Sequence, residues 1–335
     1  MKKIKIAQIG TSVYSHGNDI FHTLKKLDDL FEIVGFCFPE KEREKFPEKM
    51  KDFEGYPELS LEEIWSNPEI EAVAIETEEI YLTKYATMAA KAGKHIHCEK
   101  PGSQDPEAFE NLIRLAENTG NVLHFGYMYR YNPFVSELIQ KVKSGELGDI
   151  ISVEAQMNIC HSKEFRQWYD TFTGGVTFFL GCHLIDLILL IHGMPEDVIP
   201  LNCSTGKEGV RTEDFGMAVF KYPNGVSFAK VNTTEVNGFS RRQLVVSGTK
   251  GTVEIKPLEE GVPEFLFGMK TYQKECSLLP IRNNGVTVSS DVFFRYDSMM
   301  TAFAKYVRGE KENPYTLEYE RALYKTILKA CGICG

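Results

Sequence analysis

Apolar and polar positions follow two different periods along this chain. In the first 125 residues, short apolar runs alternate with segments in which apolar residues recur at helical spacing. The runs are KIKIAQIG, FEIVGFCF, EAVAIET, KHIHCEKP and NVLHFGYM. Strands that alternate with helices predict a parallel sheet joined by right-handed crossovers. Residues 1–124 are therefore expected to form an α/β domain with a doubly wound sheet.

After about residue 125 the pattern changes to strands without helices between them. Four such strands are predicted in DFGMAVFKYP, GVSFAKVNTTEV, RRQLVVSG and GTVEIKP. Two of the joins, YPNGV and SGTKGTV, have the residues of hairpin turns. Consecutive hairpins predict a large, mostly antiparallel open sheet. Residues 125–335 are therefore expected to form a second, α+β domain.

Composition and charge restrict the partners that this chain can have. Of the 335 residues, 43% are hydrophobic and 25% are charged, and the net charge is -9. Nucleic-acid-binding surfaces are usually basic, so no nucleic-acid partner is expected. No run reaches the ~20 apolar residues that span a bilayer, and the N-terminus lacks the apolar core of a signal peptide. We expect a cytoplasmic protein that does not bind membranes.

The cysteines do not suggest a disulfide framework or a metal site. Eight cysteines are scattered through the chain, which is typical of free thiols in a reducing compartment. Cys331 and Cys334 form a lone CxxC pair, and His161 lies beside Cys160. Neither pair has further ligands nearby in the sequence, so no metal is expected. The role of Cys331 and Cys334, if any, stays open.

The first strand is followed by a turn with an incomplete dinucleotide fingerprint. In doubly wound folds, glycines at this turn let a pyrophosphate approach the backbone and the helix N-terminus. Gly10 is correctly placed in IGTSVYSHGND, but Ser12 and Ser15 stand at the next two glycine positions. Thr11 and Ser12 add hydroxyl donors. The signal for a dinucleotide is therefore weak on its own.

The end of the second strand does not choose between NAD and NADP. A carboxylate is expected there to bind the ribose 2′-hydroxyl. This chain has Phe38 at that position, and Glu40 comes two residues later. Lys41 and Arg43 are candidates to meet a 2′-phosphate, whereas a solvated charged helix is the simpler interpretation of the run.

Longer motifs make the chain similar to one family. AGKHIHCEKP, FGYMYRYNP, SGELGDIISV and the GG…GCHLID segment resemble the Gfo/Idh/MocA oxidoreductases, relatives of glucose–fructose oxidoreductase and inositol dehydrogenase. The resemblance implies an N-terminal Rossmann domain and a C-terminal domain whose sheet forms homodimers or homotetramers. It also implies hydride transfer between NAD or NADP and a hydroxyl carbon of a sugar, polyol or related small molecule.

The resemblance implies roles for particular residues. Lys100 of the EKP motif and His183 are expected to be catalytic, because alcohol oxidation needs a base for the hydroxyl proton. The cofactor is expected at Gly10, Thr11, Ser12, Thr77, Glu99, Lys100 and Pro101, and the substrate at Arg130, Trp168 and His183. A surface salt bridge is the alternative for Arg130, and core packing is the alternative for Trp168. Asp186, one turn after His183, is expected to be a structural partner.

Four positions depart from the family pattern. Two are the glycine turn and Phe38, described above. After the third strand, Thr77 is followed by Glu78 and Glu79, and Leu82 replaces a histidine. The family pattern GGxxxxDxGxHxxD has an aspartate four residues before the histidine, and Phe179 stands there.

These departures leave three functions open. The first is an NAD(P)-dependent oxidoreductase of sugars or polyols. The second is an NAD-dependent glycosidase or lyase, as some relatives are. The third is a non-catalytic relative that binds a nucleotide or a sugar as a sensor or regulator.

Overall fold

The computed structural model describes residues 2–262, 265–274 and 285–333. Its Cα positions group into two units. The first contains Met1–Tyr127 and Tyr296–Arg321, and the second contains Met128–Arg295 and Ala322–Gly335. The segment 296–321 groups with the first unit, which a single boundary at residue 125 did not anticipate. The division into two functional domains at that boundary stays a proposal.

The first part of the chain forms the alternating strands and helices that the sequence predicts. Its elements are β1 (Ile4–Ile9), α1 (Gly17–Lys26), β2 (Phe31–Cys37), α2 (Glu42–Lys45), a 3-10 helix (Pro47–Phe53), α3 (Leu61–Ser66), β3 (Ala72–Ile75), α4 (Leu82–Lys91), β4 (His95–Cys98), α5 (Pro106–Thr119) and β5 (Leu123–Phe125). The strands pair in parallel in the order β2-β1-β3-β4-β5. A single parallel bridge between Phe36 and Glu58 extends the sheet beyond β2. Counting that bridge, the order matches the doubly wound arrangement 3-2-1-4-5-6, and the expected fold class is confirmed.

Local sequence signals explain where these helices begin and end. Ser60 and Glu63 form a reciprocal capping box at the start of α3. Asp105 accepts hydrogen bonds from the first amides of α5, and Pro106 follows it at the first helical position. Gly120 ends the same helix in the left-handed conformation. These helices cover a sheet whose central strand, β3, is completely buried.

The second part of the chain is built around a large sheet. Its elements are α6 (Pro133–Lys143), β6 (Ile150–Asn158), α7 (Lys163–Trp168), α8 (Cys182–His192), β7 (Asp197–Pro200), β8 (Phe215–Tyr222), β9 (Gly225–Asn232), β10 (Gln243–Gly248), β11 (Gly251–Ile255), β12 (Glu260–Val262), β13 (Phe265–Phe267), β14 (Met269–Lys274), β15 (Val286–Ser289), α9 (Asp297–Val307) and α10 (Leu317–Ala330). Eight strands pair in the order β15-β14-β11-β10-β6-β9-β8-β7. Only the β6–β9 pair is parallel. The predicted mostly antiparallel sheet is thus confirmed.

The apolar segment 174–193 is not one uniform helix. It starts with Gly174 and Gly175, whose φ angles are +88° and +50°. A Cβ at Gly175 would lie 2.5 Å from the carbonyl oxygen of Glu213, so the turn requires glycine. A π-helical segment, Thr177–Gly181, then leads into α8, which packs on β6 and β9. Because six of the first eight residues of α8 are apolar and all eight are buried, this helix forms the core of the second unit.

Two further observations concern membranes and thiols. Among the described residues, no helix is long and apolar enough to cross a bilayer. Six cysteines are described, Cys331 among them, and none of the six is in a disulfide bond. Cys334 lies outside the described residues.

Candidate functional site

The turn after β1 requires glycine and lies against the end of β3. Gly10 has a φ of +83°, and a Cβ there would lie 2.4 Å from the Thr77 Cγ2 atom. The Gly10 amide donates to the carbonyl oxygen of Cys37, and the Glu76 amide donates to that of Ile9. These bonds bring the carboxyl ends of β1, β2 and β3 together. Strand order reverses between β1 and β3, and in doubly wound sheets ligands bind at that edge.

Two side chains, one of them from another segment, accept hydrogen bonds from the amides of this turn. The Thr11 amide donates to Glu42 Oε2 at 2.9 Å, and the Ser12 amide donates to Ser15 Oγ at 3.1 Å. Glu42 is fully buried, although we expected its charged run to be solvated. Burial raises the pKa of Glu42 to about 9, against the hydrogen bond from Thr11, which lowers it. That expectation was wrong at this position because Glu42 turns inward to the Gly10 turn.

The two unexpected carboxyls after β3 lie in different environments. Glu78 is bound by Lys45, with 2.8 Å between Lys45 Nζ and Glu78 Oε2. Glu79 is 2% exposed, and burial raises its pKa to about 8. Leu82 begins α4 and is buried. Of the two carboxyls, Glu78 is paired with a cation and Glu79 is largely neutral near pH 7.

A row of buried polar side chains crosses the same sheet. His97 on β4 and His124 on β5 are paired in register, and their Nδ1 atoms are 2.9 Å apart. His97 Nε2 lies 3.5 Å from Glu76 Oε1. Burial lowers the pKa of His97 to about 3 and raises that of Glu76, which Glu99 raises further. Burial thus favours the neutral forms of the His97 and Glu76 side chains.

Lys100 lies at the end of β4, in the motif that carried the family resemblance. Its side chain is 5% exposed, and Nζ lies 3.3 Å from Glu99 Oε1. Pro101 follows through a cis peptide bond. Glu99 lies close to the end of β5, where a Cβ at Gly126 would be 3.0 Å from Glu99 Oε2. The structure therefore places an ammonium group, oriented by a carboxyl, at the same edge as Gly10 and Thr77.

The residues at this edge fit a nicotinamide dinucleotide. Gly10 leaves space that a side chain would fill, and Ser12 Oγ is buried without a hydrogen-bond partner among the described residues. The raised pKa values of Glu42 and Glu79 keep both carboxyls largely neutral at pH 7, so neither repels the phosphates of a dinucleotide. Gly10, Thr11, Ser12 and Thr77 are the residues that would lie nearest the cofactor. The described residues contain no group of three or more His, Cys, Asp or Glu side chains arranged for a metal.

His183, in the second unit, is buried beside a charged cluster. Its ring packs edge-on against Tyr129, with 5.4 Å between the ring centroids. The Tyr129 hydroxyl donates to Glu259 Oε1 at 2.8 Å, and Arg242 and Arg295 bind the same carboxylate. Burial alone would raise the pKa of Glu259, but the two guanidinium groups outweigh it and lower the pKa. The imidazole thus adjoins a fixed cluster of one carboxylate and two cations.

Arg130 forms an ion pair with Asp186 within the second unit. Its Nε and Nη2 atoms donate to the two oxygens of Asp186 at 2.9 and 2.8 Å. The side chains of both residues are almost completely buried, so the alternative of a surface salt bridge is wrong. Asp186 lies one turn after His183 on α8, and the pair fixes this helix to the 3-10 turn that contains Arg130. This geometry favours positioning of His183 over direct contact with a substrate.

Trp168 and Phe179 pack against each other. Their ring centroids are 5.1 Å apart, and both also contact Phe172. Phe179 is 5% exposed and contacts Phe165 and Tyr169 as well. The position of the family aspartate is therefore filled by a ring in an aromatic cluster. Trp168 is half-buried at the edge of that cluster, which is consistent with both of its expected roles.

Sequence reasoning missed several residues of these two sites. Glu42 was hidden in a charged run, and Tyr129 lies in the quoted YMYRYNP motif without having been assigned a role. Arg242, Glu259 and His124 gave no local signal. All five become visible only through contacts with residues distant in the chain.

Two models of one protein family match this chain. A family model described as an oxidoreductase family with an NAD-binding Rossmann fold matches residues 4–127. A second model, the GFO/IDH/MocA C-terminal domain, matches residues 135–254. The chain belongs to the GFO/IDH/MocA family of oxidoreductases. The expected family is thereby confirmed.

Individual relatives are distant. An uncharacterised oxidoreductase of Rhizobium meliloti is 28% identical over 59% of this chain and 58% of its own length. An NADP-dependent scyllo-inositol 2-dehydrogenase of Bacillus subtilis is 27% identical over 64% of this chain and 59% of its own length. The chain thus spans about three fifths of the length of these two relatives. The solved WlbA dehydrogenase of Bordetella pertussis, in complex with NADH and UDP-GlcNAcA, has a TM-score of 0.76 and 16% identity, covering 99% of this chain and 97% of its own.

Proposed function

We propose that this protein is an NAD(P)-dependent oxidoreductase that acts on a hydroxyl carbon of a sugar, polyol or related small molecule. The observation that carries the proposal is the buried Lys100, held by Glu99 at the ligand-binding edge of a doubly wound sheet. The relatives support the substrate class, since one acts on an inositol and another binds a nucleotide sugar.

The protein's own groups supply the acid–base chemistry. A bound nicotinamide supplies the hydride acceptor or donor. The neutral amine of Lys100 takes the proton of the substrate hydroxyl in oxidation, and its ammonium form returns a proton in reduction. Glu99 orients this side chain, and Pro101 restricts the backbone beside it. His183 is proposed as a second acid–base group, positioned by the Arg130–Asp186 pair, and Trp168 as a wall of the substrate site.

A second candidate function rests on Phe179. A phenyl ring cannot bind a hydroxyl group or carry a proton, and Phe179 occupies the place of the family aspartate. A relative that binds a nucleotide or a sugar without turning it over would have no use for that aspartate. This observation favours a sensor as the alternative to the enzyme.

Two measurements separate these functions. NADH and NADPH are titrated into the purified protein while fluorescence quenching is followed, and oxidised cofactor is then supplied with a panel of sugars and cyclic polyols. Turnover, lowered at least about a hundredfold in Lys100→Met, supports the enzyme. The exposed Lys91→Met variant serves as the control and should keep full activity.

Three results count against the proposal. Cofactor binding without turnover of any substrate supports the sensor. Full activity of Lys100→Met contradicts the assigned role of Lys100. No binding of either cofactor at millimolar concentration excludes the enzyme.

We also propose a homodimer or homotetramer formed through the sheet of the second unit, and a location in the reducing cytoplasm. The outer side of that sheet carries half-exposed apolar side chains, Val219, Phe228 and Val245 among them. The free state of the six described cysteines supports the location.

A further inference from the structure

The carboxyl of Glu42 bridges the second strand and the turn after the first. Glu42 begins α2, five residues after the end of β2, and its Oε2 atom accepts the Thr11 amide hydrogen at 2.9 Å. The side chain is fully buried, while the neighbouring Arg43 and Glu44 are exposed. Glu42 is thus the residue of this run that turns toward Gly10.

The second oxygen of this carboxyl has no partner. Glu42 Oε1 is buried and makes no hydrogen bond within the described part of the chain. Buried polar atoms are nearly always paired, and an unpaired one suggests a ligand that supplies the missing donor or acceptor. A small hydroxyl group, which can both donate and accept, pairs with a carboxyl in either protonation state.

The position of this oxygen matches a known part of a dinucleotide. In doubly wound folds, the adenosine ribose lies between the first turn and the end of the second strand, where a carboxylate receives its 2′-hydroxyl. Phe38 stands at the usual position but packs on Phe36 and Phe53, with centroids 4.8 Å from each. The carboxyl therefore has to come from elsewhere, and Glu42 already touches the first turn.

We propose that Glu42 binds the adenosine ribose hydroxyls and selects NAD over NADP. This inference rests on the proposed dinucleotide binding. A 2′-phosphate is several times larger than a ribose hydroxyl, and burying its charge beside Glu42 requires a cation. Arg43, a candidate for that cation, instead binds Glu58 and lies over the Phe38 ring.

The test measures cofactor affinity without turnover. NADH and NADPH are titrated by calorimetry into the wild type, Glu42→Gln, Glu42→Ala and the exposed control Glu44→Gln. The wild type should bind NADH at least about tenfold more tightly than NADPH, which corresponds to one well-made hydrogen bond. Glu42→Ala should lose about tenfold in NADH affinity.

Glu42→Gln keeps the first oxygen of this side chain and changes the second. The amide oxygen of glutamine still accepts from Thr11, so the turn is kept, while the other position becomes an amide group that only donates and therefore suits a phosphate oxygen. The ratio of NADPH to NADH dissociation constants should fall at least about threefold in this variant, and Glu44→Gln should leave it unchanged. Circular dichroism of each variant verifies that it is folded.

Distinct outcomes overturn the two proposals. A wild type that prefers NADPH, or a ratio in Glu42→Gln within twofold of the wild type, overturns the role of Glu42 while dinucleotide binding stands. An equal change in Glu44→Gln overturns it as well. If the wild type binds neither cofactor, the proposed function itself fails.

Discussion

At the scale of single residues, burial sets the protonation of the acids at the first sheet. Glu42, Glu76 and Glu79 are at most 2% exposed, and burial raises the pKa of each. Removing a carboxylate from water disfavours its charged form unless a cation or several donors compensate. The dense acidic sequence after β3 is therefore compatible with a site for an anionic ligand.

The raised pKa of Glu79 predicts a stability that depends on pH. A carboxyl with a folded pKa of about 8 stabilises the fold fully below its ordinary pKa of 4.5, and this contribution is lost as the pH rises toward 8. Glu79→Gln lacks that loss. The free energy of unfolding of Glu79→Gln should therefore rise relative to that of the wild type, by on the order of 1 kcal/mol per pH unit between pH 5 and pH 8.

Urea denaturation at several pH values checks this expectation. Glu54→Gln, which changes an exposed carboxyl, should follow the wild type at every pH. A constant difference between Glu79→Gln and the wild type across the range would show that Glu79 is ionised in the folded protein.

The packing of Phe179 predicts a large effect on stability. Truncating a buried phenylalanine leaves a cavity, so Phe179→Ala should lower the free energy of unfolding by about 3–5 kcal/mol. Phe294→Ala, at a site that is 45% exposed, should cost less than about 0.5 kcal/mol. Phe179→Asp should destabilise at least as much as Phe179→Ala, since it buries a carboxyl among rings. Near-equal melting temperatures for Phe179→Ala and the wild type would contradict the packing described.

At the scale of elements, helix α8 is fixed by one buried ion pair. Arg130 and Asp186 are 56 residues apart, and their bidentate contact joins a 3-10 turn to the helix that carries His183. Such a pair orients its elements, although its net contribution to stability is small compared with an apolar replacement. The π-helical segment before α8 is a second local irregularity, a feature often found at functional sites.

Removing one partner of the Arg130–Asp186 pair should lower the free energy of unfolding strongly. Asp186→Ala leaves the Arg130 guanidinium buried without its carboxylate, and we expect a loss of about 3–5 kcal/mol in the free energy of unfolding. The double variant Arg130→Met with Asp186→Leu should recover most of that loss. Guanidinium denaturation measures both variants. A loss below about 1 kcal/mol in Asp186→Ala would mean that water reaches the pair.

At the scale of the whole molecule, the eight-stranded sheet has two different sides. Ala218, Ala229 and Val246 are buried on one side, and α8 packs on β6 and β9. On the other side, Phe228 lies between its register partners Val219 and Glu154 and is only half-buried. Apolar side chains on a broad sheet are a surface on which a second copy can pack.

The proposed oligomer predicts that one charge on this side separates the copies. Phe228→Glu should convert the dimer or tetramer to monomers, because an unpaired carboxylate would be buried at the interface. Sedimentation velocity gives the mass of each species. Lys163→Glu, an exposed change on α7, should leave the mass unchanged. A monomeric wild type would rule out the proposal.

Much of the fold could be predicted because its signals are local. The apolar runs that predict β1–β5, and the turns that join β8 to β9 and β10 to β11, are determined by residues only a few positions apart in the chain. The boundaries differ slightly: the run FEIVGFCF predicts a strand over residues 31–38, and β2 ends at Cys37. The extent of the first unit could not be predicted, because residues 296–321 join it from the far end of the chain.

The residues of the candidate sites likewise fall into those that local motifs predict and those that only tertiary contacts reveal. The sequence by itself determined the family, the two sheets, and the positions of Gly10, Lys100 and His183, since each lies in a motif that a short window contains. Only the tertiary structure decided that Glu42 binds the Gly10 turn, that Arg130 is committed to Asp186 and that Phe179 belongs to an aromatic cluster. Burial and pairing depend on residues that are brought together across the chain, and no local pattern records them.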